Sequence, residues 1–161
     1  LPGYSAPQTK IYIGGHGMTA IHMEKVYAKF RDIRESIERL RRFSATPRAE
    51  FLKDRDSQDI AGFRLIVATE AAIDTCLHVA ARTLNQVPEE YAGCFKLLGE
   101  HHLIDQEVAS RLAAMARFRN LLVHRYWEID YGRMYDIITG GDLKDLEIFM
   151  KQIGRLFDAE T

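Results

Sequence analysis

Arg119, Asn120, His124 and Tyr126 fall in the stretch RFRNLLVHRYWEID, residues 117–130, and their chemistry suits a phosphodiester. Histidine, with an ordinary pKa of about 6.5, takes or gives a proton near neutral pH. Arginine presents a rigid fork of donors that matches phosphate oxygens. Asn120 can hold an imidazole in one orientation. Between residues 111 and 133 stand five arginines, Arg111, Arg117, Arg119, Arg125 and Arg133, against only Glu128 and Asp130. The formal net charge is −1, so the chain as a whole attracts neither nucleic acid nor membrane, and any anion site must come from a local cluster of this kind.

Helix geometry constrains the set. At about 3.6 residues per turn, Asn120 and His124 stack one turn apart, whereas Arg119 and His124 lie about 140° apart around the axis. Arg119 aligns instead with Val123 and Tyr126. A straight helix therefore splays Arg119 away from His124, unless the helix ends here or a second copy of the chain supplies the complementary group. The spacing points toward a dimer. On spacing alone, a surface histidine favoured by the helix C-terminal dipole outweighs a catalytic one.

A second polar row, Glu70, Asp74 and His78, recurs at four-residue steps and shares one helix face. It can be half of a metal site of the kind bundles carry, but no matching Glu-x-x-His stands on another helix. An exposed row, or a cleft wall near a dimer interface, is the preferred reading, and no metal is expected. Trp127 can stack on a base, although an aromatic closing the end of a bundle fits it better. His101 and His102, beside an expected loop, are read as solvated.

The elements that must carry these residues are helices. With 161 residues, 47% hydrophobic and 28% charged, the chain fits one globular domain. The two cysteines, Cys76 and Cys94, lack metal-ligand spacing and read as small core residues in a reducing cytoplasm. No apolar run approaches the roughly 18 residues of a membrane span, and no export signal is visible. Residues 1–17, with Pro2, Pro7 and four of the eleven glycines, read as a flexible tail. Met18 is read as a candidate native start, with what precedes it either a remnant of cloning or a native extension.

From Met18 to residue 161, one helical domain is expected. Val26, Phe30, Ile33, Ile37 and Leu40 mark an amphipathic helix over about 20–43. Thr46 and Pro47 form an N-cap and first-turn pair opening a helical region to about Leu84, through Ile60, Phe63, Val67, Ile73, Leu77 and Ala80, with a break near Asp54 to Ser57. Pro88 opens a short helix over Tyr91, Phe95 and Leu98, and Asp105 caps a longer one that ends near Tyr126. Asp130 and Asp142 cap two more, with Gly140 and Gly141 as the turn between them. No strand-like alternation appears. The fold expected is all-α, an up-and-down bundle with short connections.

The run RNLLVHRY, with Arg119, His124 and Tyr126 in the pattern R-x4-H-x-Y, resembles the motif of HEPN-domain ribonucleases, specifically the HepT toxins. The resemblance extends over roughly residues 20–158, through RDSQDIAGFRLIVATEAAIDTCLHVAARTL, the region VPEEYAGCFKLLGEHHLIDQEVASRLAAMARFRN and the closing DYGRMYDII and DLKDLEIFMKQI. Its main departure is the extra N-terminal segment, which touches no motif residue.

The resemblance implies a metal-independent, cofactor-free endoribonuclease toxin. It implies a homodimer whose two arginine-histidine motifs line one cleft, with the RNA's own 2′-hydroxyl as the nucleophile. His124 is then the acid or base, Arg119 the charge stabiliser, and Asn120 the residue that orients histidine or phosphate. Arg117, Arg125 and Trp127 are candidate RNA contacts. The resemblance also implies an MNT-type nucleotidyltransferase antitoxin that adenylylates Tyr126. The competing reading is a non-catalytic dimeric module that holds RNA or a nucleotide through the arginine patch. A titrating group beside the arginines favours catalysis, because binding alone needs only charge.

Overall fold

The computed structural model of the protein describes residues 22–158, and the tail assigned to residues 1–17 lies outside them. α1 (Met23–Arg41) turns all five expected residues, Val26, Phe30, Ile33, Ile37 and Leu40, into the core. It tightens into a 3₁₀ turn, Arg42–Ala45. α2 (Arg48–Phe51) follows as a single turn whose N-cap is Pro47. The Thr46 side chain does not cap it as expected; the Thr46 carbonyl accepts instead from Tyr135 Oη at 2.8 Å. The backbone then breaks, and Asp54 caps α3 (Arg55–Val79) by accepting from the Ser57 N–H. α3 widens into a π turn, Ala80–Leu84, that stops where Asn85 takes a left-handed φ of 52°. α4 (Tyr91–Glu100), α5 (Gln106–His124), α6 (Tyr131–Thr139) and α7 (Asp142–Asp158) complete the described fold, and no strand occurs among the described residues.

Pairs between helices set their directions. Lys29 meets Asp74 at 2.9 Å and the His22 N–H donates to His78 Nε2 at 3.0 Å, so α1 and α3 run antiparallel. Arg41 with Glu147, and Tyr27 with Phe157, make α1 and α7 antiparallel. Arg111 Nε donates to Asp145 Oδ2 at 2.9 Å, and Gln152 accepts from the Asp105 N–H at 2.9 Å, so α5 opposes α7 and therefore α3. The four long helices thus alternate. α4 forms a close hairpin with α5, where a Cβ on Gly99 would stand 2.8 Å from Ala109 Cβ, and so lies parallel to α3. Residues 85–90 are the return that makes this possible.

The core between them holds Phe51, Phe95 and Phe149, all fully buried. Truncating any one to alanine costs roughly 3–5 kcal/mol through lost transfer energy and the cavity left behind.

α3 departs most from the expected pattern. Ile60 and Phe63 were placed on its apolar stripe, yet they are 53% and 57% exposed. The buried face is built from Ala61, Gly62, Leu65, Ala68, Ala72 and Cys76, with Gln58 donating to the Phe51 carbonyl at 3.0 Å. Small residues let neighbouring helices approach closely but carry little hydropathy, so the larger side chains on the opposite face dominated the period.

Candidate active site

α5 ends at His124 because Arg125 leaves helical space, at φ −136° and ψ 49°, while its N–H still caps the Leu121 carbonyl. A 3₁₀ turn, Tyr126–Glu128, follows, and Asp130 starts α6 by accepting from the Gly132 and Arg133 N–H groups. The motif therefore occupies the last turns of a helix and the bend after it. Arg119, Asn120 and His124 line one open groove of about 790 Å³, together with Arg117 and Arg125. Both Arg119 and His124 still lie within α5, so the end of the helix after His124 leaves their separation of about 140° in place, and the wide groove spans it.

The opposite rim comes from the start of α4, with Glu89, Glu90, Tyr91 and Ala92. Sequence reasoning missed these residues. Tyr91 was assigned to the apolar stripe of α4, and only the α4–α5 hairpin brings it across to α5.

Arg119 is the most constrained member. Its side chain is 14% exposed; Nε and Nη2 both donate to Glu70 Oε1, at 3.2 Å and 2.5 Å. Nη1 donates to Asn120 Oδ1 at 3.1 Å, and the guanidinium lies 5.6 Å from the centroid of the Tyr91 ring. The Asn120 carbonyl oxygen thus serves the arginine rather than the histidine. Asn120, His124, Arg117 and Arg125 are all exposed to the groove.

Other expected members separate. Of the five arginines in the basic patch, Arg111 is engaged by Asp145, and Arg133 lies over the Phe118 ring at 5.1 Å, so neither lines the groove. The patch contracts to Arg117, Arg119 and Arg125. In the second row, only Glu70 meets a motif residue. Asp74 and His78 line a separate hollow between α1 and α3, with Lys25, Val26, Lys29 and Thr75. Burial, reinforced by Arg82, His22 and Lys25, pulls the His78 pKa down from 6.5 to about 4. Among the described residues, no group of three or more His, Cys, Asp or Glu side chains is placed to hold a metal ion.

Cys76 and Cys94 are fully buried, and burial pushes the Cys76 thiol well up, which keeps it from acting as a nucleophile. Trp127 does not close the end of the bundle. It and Tyr126 are 68% and 67% exposed just beyond the groove. No helix among the described residues is long and apolar enough to cross a membrane.

A family model described as ribonuclease HepT-like matches residues 33–153, which include the whole groove motif and Glu70. The chain belongs to the ribonuclease HepT-like family. Within it, the chain is 29% identical over 105 residues, 65% of its own length and 78% of the relative's, to the mRNA nuclease HepT of Shewanella oneidensis. It is 25% identical over 136 residues, 84% of its length and 92% of the relative's, to the tRNA nuclease HepT of Aphanizomenon flos-aquae. Its fold superimposes, at a TM-score of 0.75 and 26% identity, on the solved structure of the tri-AMPylated Shewanella oneidensis HEPN toxin in complex with MNT antitoxin, covering 82% of this chain and 98% of that one. This all-α HEPN-like bundle is therefore a HepT-like domain.

Proposed function

We propose that the protein is an endoribonuclease toxin that cleaves RNA without a metal ion, using the groove at the end of α5. The observation that carries this reading is the convergence of Arg119, Asn120 and His124 on one open groove, in a chain of the HepT-like family. His124, exposed at the helix end, moves the proton; Arg119 supplies fixed donors to the phosphate oxygens. In the step itself the substrate's 2′-oxygen attacks the adjacent phosphorus as its proton leaves, and the P–O5′ bond breaks. The products are a 2′,3′-cyclic phosphate and a 5′-hydroxyl that takes up a proton. No metal or cofactor enters this balance. Arg117 and Arg125 attract the backbone, and Trp127 offers a face for a base.

The working unit in this reading is a homodimer. On α3, Ile60, Phe63 and Val67 lie on the same stripe as Glu70, at i, i+3, i+7 and i+10. A stripe on which Ile60 and Phe63 are exposed and Val67 is half-buried, leading to the Glu70 that holds Arg119, favours a second copy docking there and bringing two grooves together. Control comes from an MNT-type nucleotidyltransferase that adenylylates Tyr126, as the modified state of the Shewanella toxin supports.

The test is RNA integrity after incubation with the wild type, Arg119→Ala and His124→Ala, with and without EDTA, followed by analysis of the ends. Cleavage that survives EDTA, leaves a cyclic phosphate and is lost in both variants is expected. Each loss should amount to roughly 10²-fold or more, with helical circular dichroism unchanged. Strict dependence on magnesium overturns the mechanism.

A further inference from the structure

The groove contains three arginines, and only Arg119 is held from several helices; Arg125 has one exposed partner, Glu128, at 3.4 Å on the turn that follows it. Arg117 and Arg125 are exposed, whereas Arg119 is clamped on three sides by groups from three helices. Glu70 from α3 takes Nε and Nη2 on a single oxygen, Asn120 from α5 takes Nη1, and the Tyr91 ring from α4 covers a face of the guanidinium. A guanidinium has five N–H donors. Three are engaged here, which leaves one on each terminal nitrogen.

We propose that Glu70 is the positioning residue for Arg119, fixing the fork so that its two remaining donors meet the phosphorane oxygens. This inference rests on the reading of Arg119 as the charge stabiliser. Three arguments carry it. A free arginine pays rotamer entropy when it captures a phosphate, and a clamped one has already lost that freedom. Preorganised donors act most strongly where charge develops during the reaction, because they need not reorganise at that moment. Finally, a carboxylate is a poor neighbour for an incoming phosphate. Its negative charge adds to that of Glu89 and Glu90 on the groove's rim and opposes RNA binding, so the placing of Glu70 against Arg119 is explained by what it does for the arginine. Glu70 touches no reacting atom in this arrangement and acts through the arginine alone.

These opposing effects give the inference a signature. Removing Glu70 relieves repulsion toward RNA yet lets Arg119 swing. The turnover number should therefore fall about 10- to 100-fold in Glu70→Ala while KM stays level or drops. Glu70→Gln, whose amide oxygen can accept the same two N–H groups, should recover part of the loss. Glu70 is itself 45% exposed and lies outside the hydrophobic core, so both variants should keep wild-type helicity and light-scattering mass, which separates lost positioning from lost fold. In an Arg119→Lys background, which has no fork to orient, removing Glu70 should cost clearly less than in the wild type.

A second readout is independent of cleavage. The Arg119 Nε–H resonance, assigned by its loss in Arg119→Lys, should be resolved and slow to exchange in the wild type. In Glu70→Ala it should merge with those of the mobile arginines. Wild-type turnover in Glu70→Ala, equal losses in the two backgrounds, or an unchanged Nε–H signal would overturn the inference. If the wild type fails to cleave RNA, or Arg119→Ala cleaves normally, the reading of the groove as a nuclease fails instead. The Nε–H signal still decides whether Glu70 holds the guanidinium.

Discussion

Tyr126 and Trp127 stand edge to face, with ring centroids 5.3 Å apart and planes at 78°, on the turn that follows the last residue of α5. Both rings are largely exposed, and Arg125, the residue before them, lines the groove. The tyrosine hydroxyl is thus accessible to a transferring enzyme, and a new phosphate there would face that groove.

From this follows the expectation for control. Co-expression with an active MNT-type partner should yield protein heavier by one or more AMP units on Tyr126 and inactive on RNA. The added phosphate competes for the groove's arginines and the added bulk obstructs entry. Tyr126→Phe should stay at its unmodified mass and retain cleavage. Intact-mass spectrometry finding the same increments on Tyr126→Phe contradicts the assignment.

Assembly gives a second expectation. Light scattering at micromolar concentration should report two chains for the wild type. Phe63→Lys, which places a charge in the middle of the exposed α3 stripe, should shift the mass toward one chain and lower cleavage without loss of helicity. A wild type that is strictly monomeric at that concentration argues against a two-groove unit.

The third expectation concerns acid stability. With a folded pKa of about 4 against an ordinary 6.5, His78 stays neutral in the fold while the unfolded chain takes up a proton. Above pH 6.5 it contributes no penalty; as the pH falls toward 4, the unfolded state binds more protons and stability declines. His78→Gln, which can still accept from the His22 N–H, should flatten the fall in urea midpoint between pH 7 and pH 4.5, in a series read at about half-unit steps. An unchanged slope rules out His78 as its source.

The fourth concerns the hairpin that supports the groove. A Cβ on Gly99 would stand 2.8 Å from Ala109 Cβ, so Gly99→Ala must push α4 away from α5. The overpacking should cost roughly 1–3 kcal/mol, seen as a Tm lowered by several degrees. Because Tyr91 rides on α4, RNA cleavage should weaken as well. A variant as stable as the wild type shows that the hairpin yields at no cost.

Much of this was legible from residue order. The α1 stripe, the breaks near Asp54, Asp105 and Asp130, and the polar set at the end of α5 all follow from local periods and caps, which depend only on neighbours in the chain. What was not legible arises between helices. The buried face of α3 is rich in alanine and other small residues, whose value lies in close approach rather than hydropathy, so Ile60 and Phe63 appeared to face inward. Glu70 and Tyr91 meet Arg119 across 49 and 28 positions of sequence, and no local pattern shows which of several polar or aromatic residues will arrive there. The row Glu70, Asp74 and His78 looked like one feature because it has one spacing. It divides because α3 faces α5 at Glu70 and α1 at the other two.

Gln152 of α7 both accepts from the Asp105 N–H and donates to Asp105 Oδ2, at 2.9 Å and 2.8 Å, so the turn between α4 and α5 is fastened by a residue 47 positions later. On α7 too, Asp145 holds Arg111 of α5, and Phe149 packs on Phe95 of α4. During synthesis, Arg119 and His124 leave the ribosome before Asp145, Phe149 and Gln152 of α7. The hairpin bearing the motif then lacks its brace until α7 has followed it out.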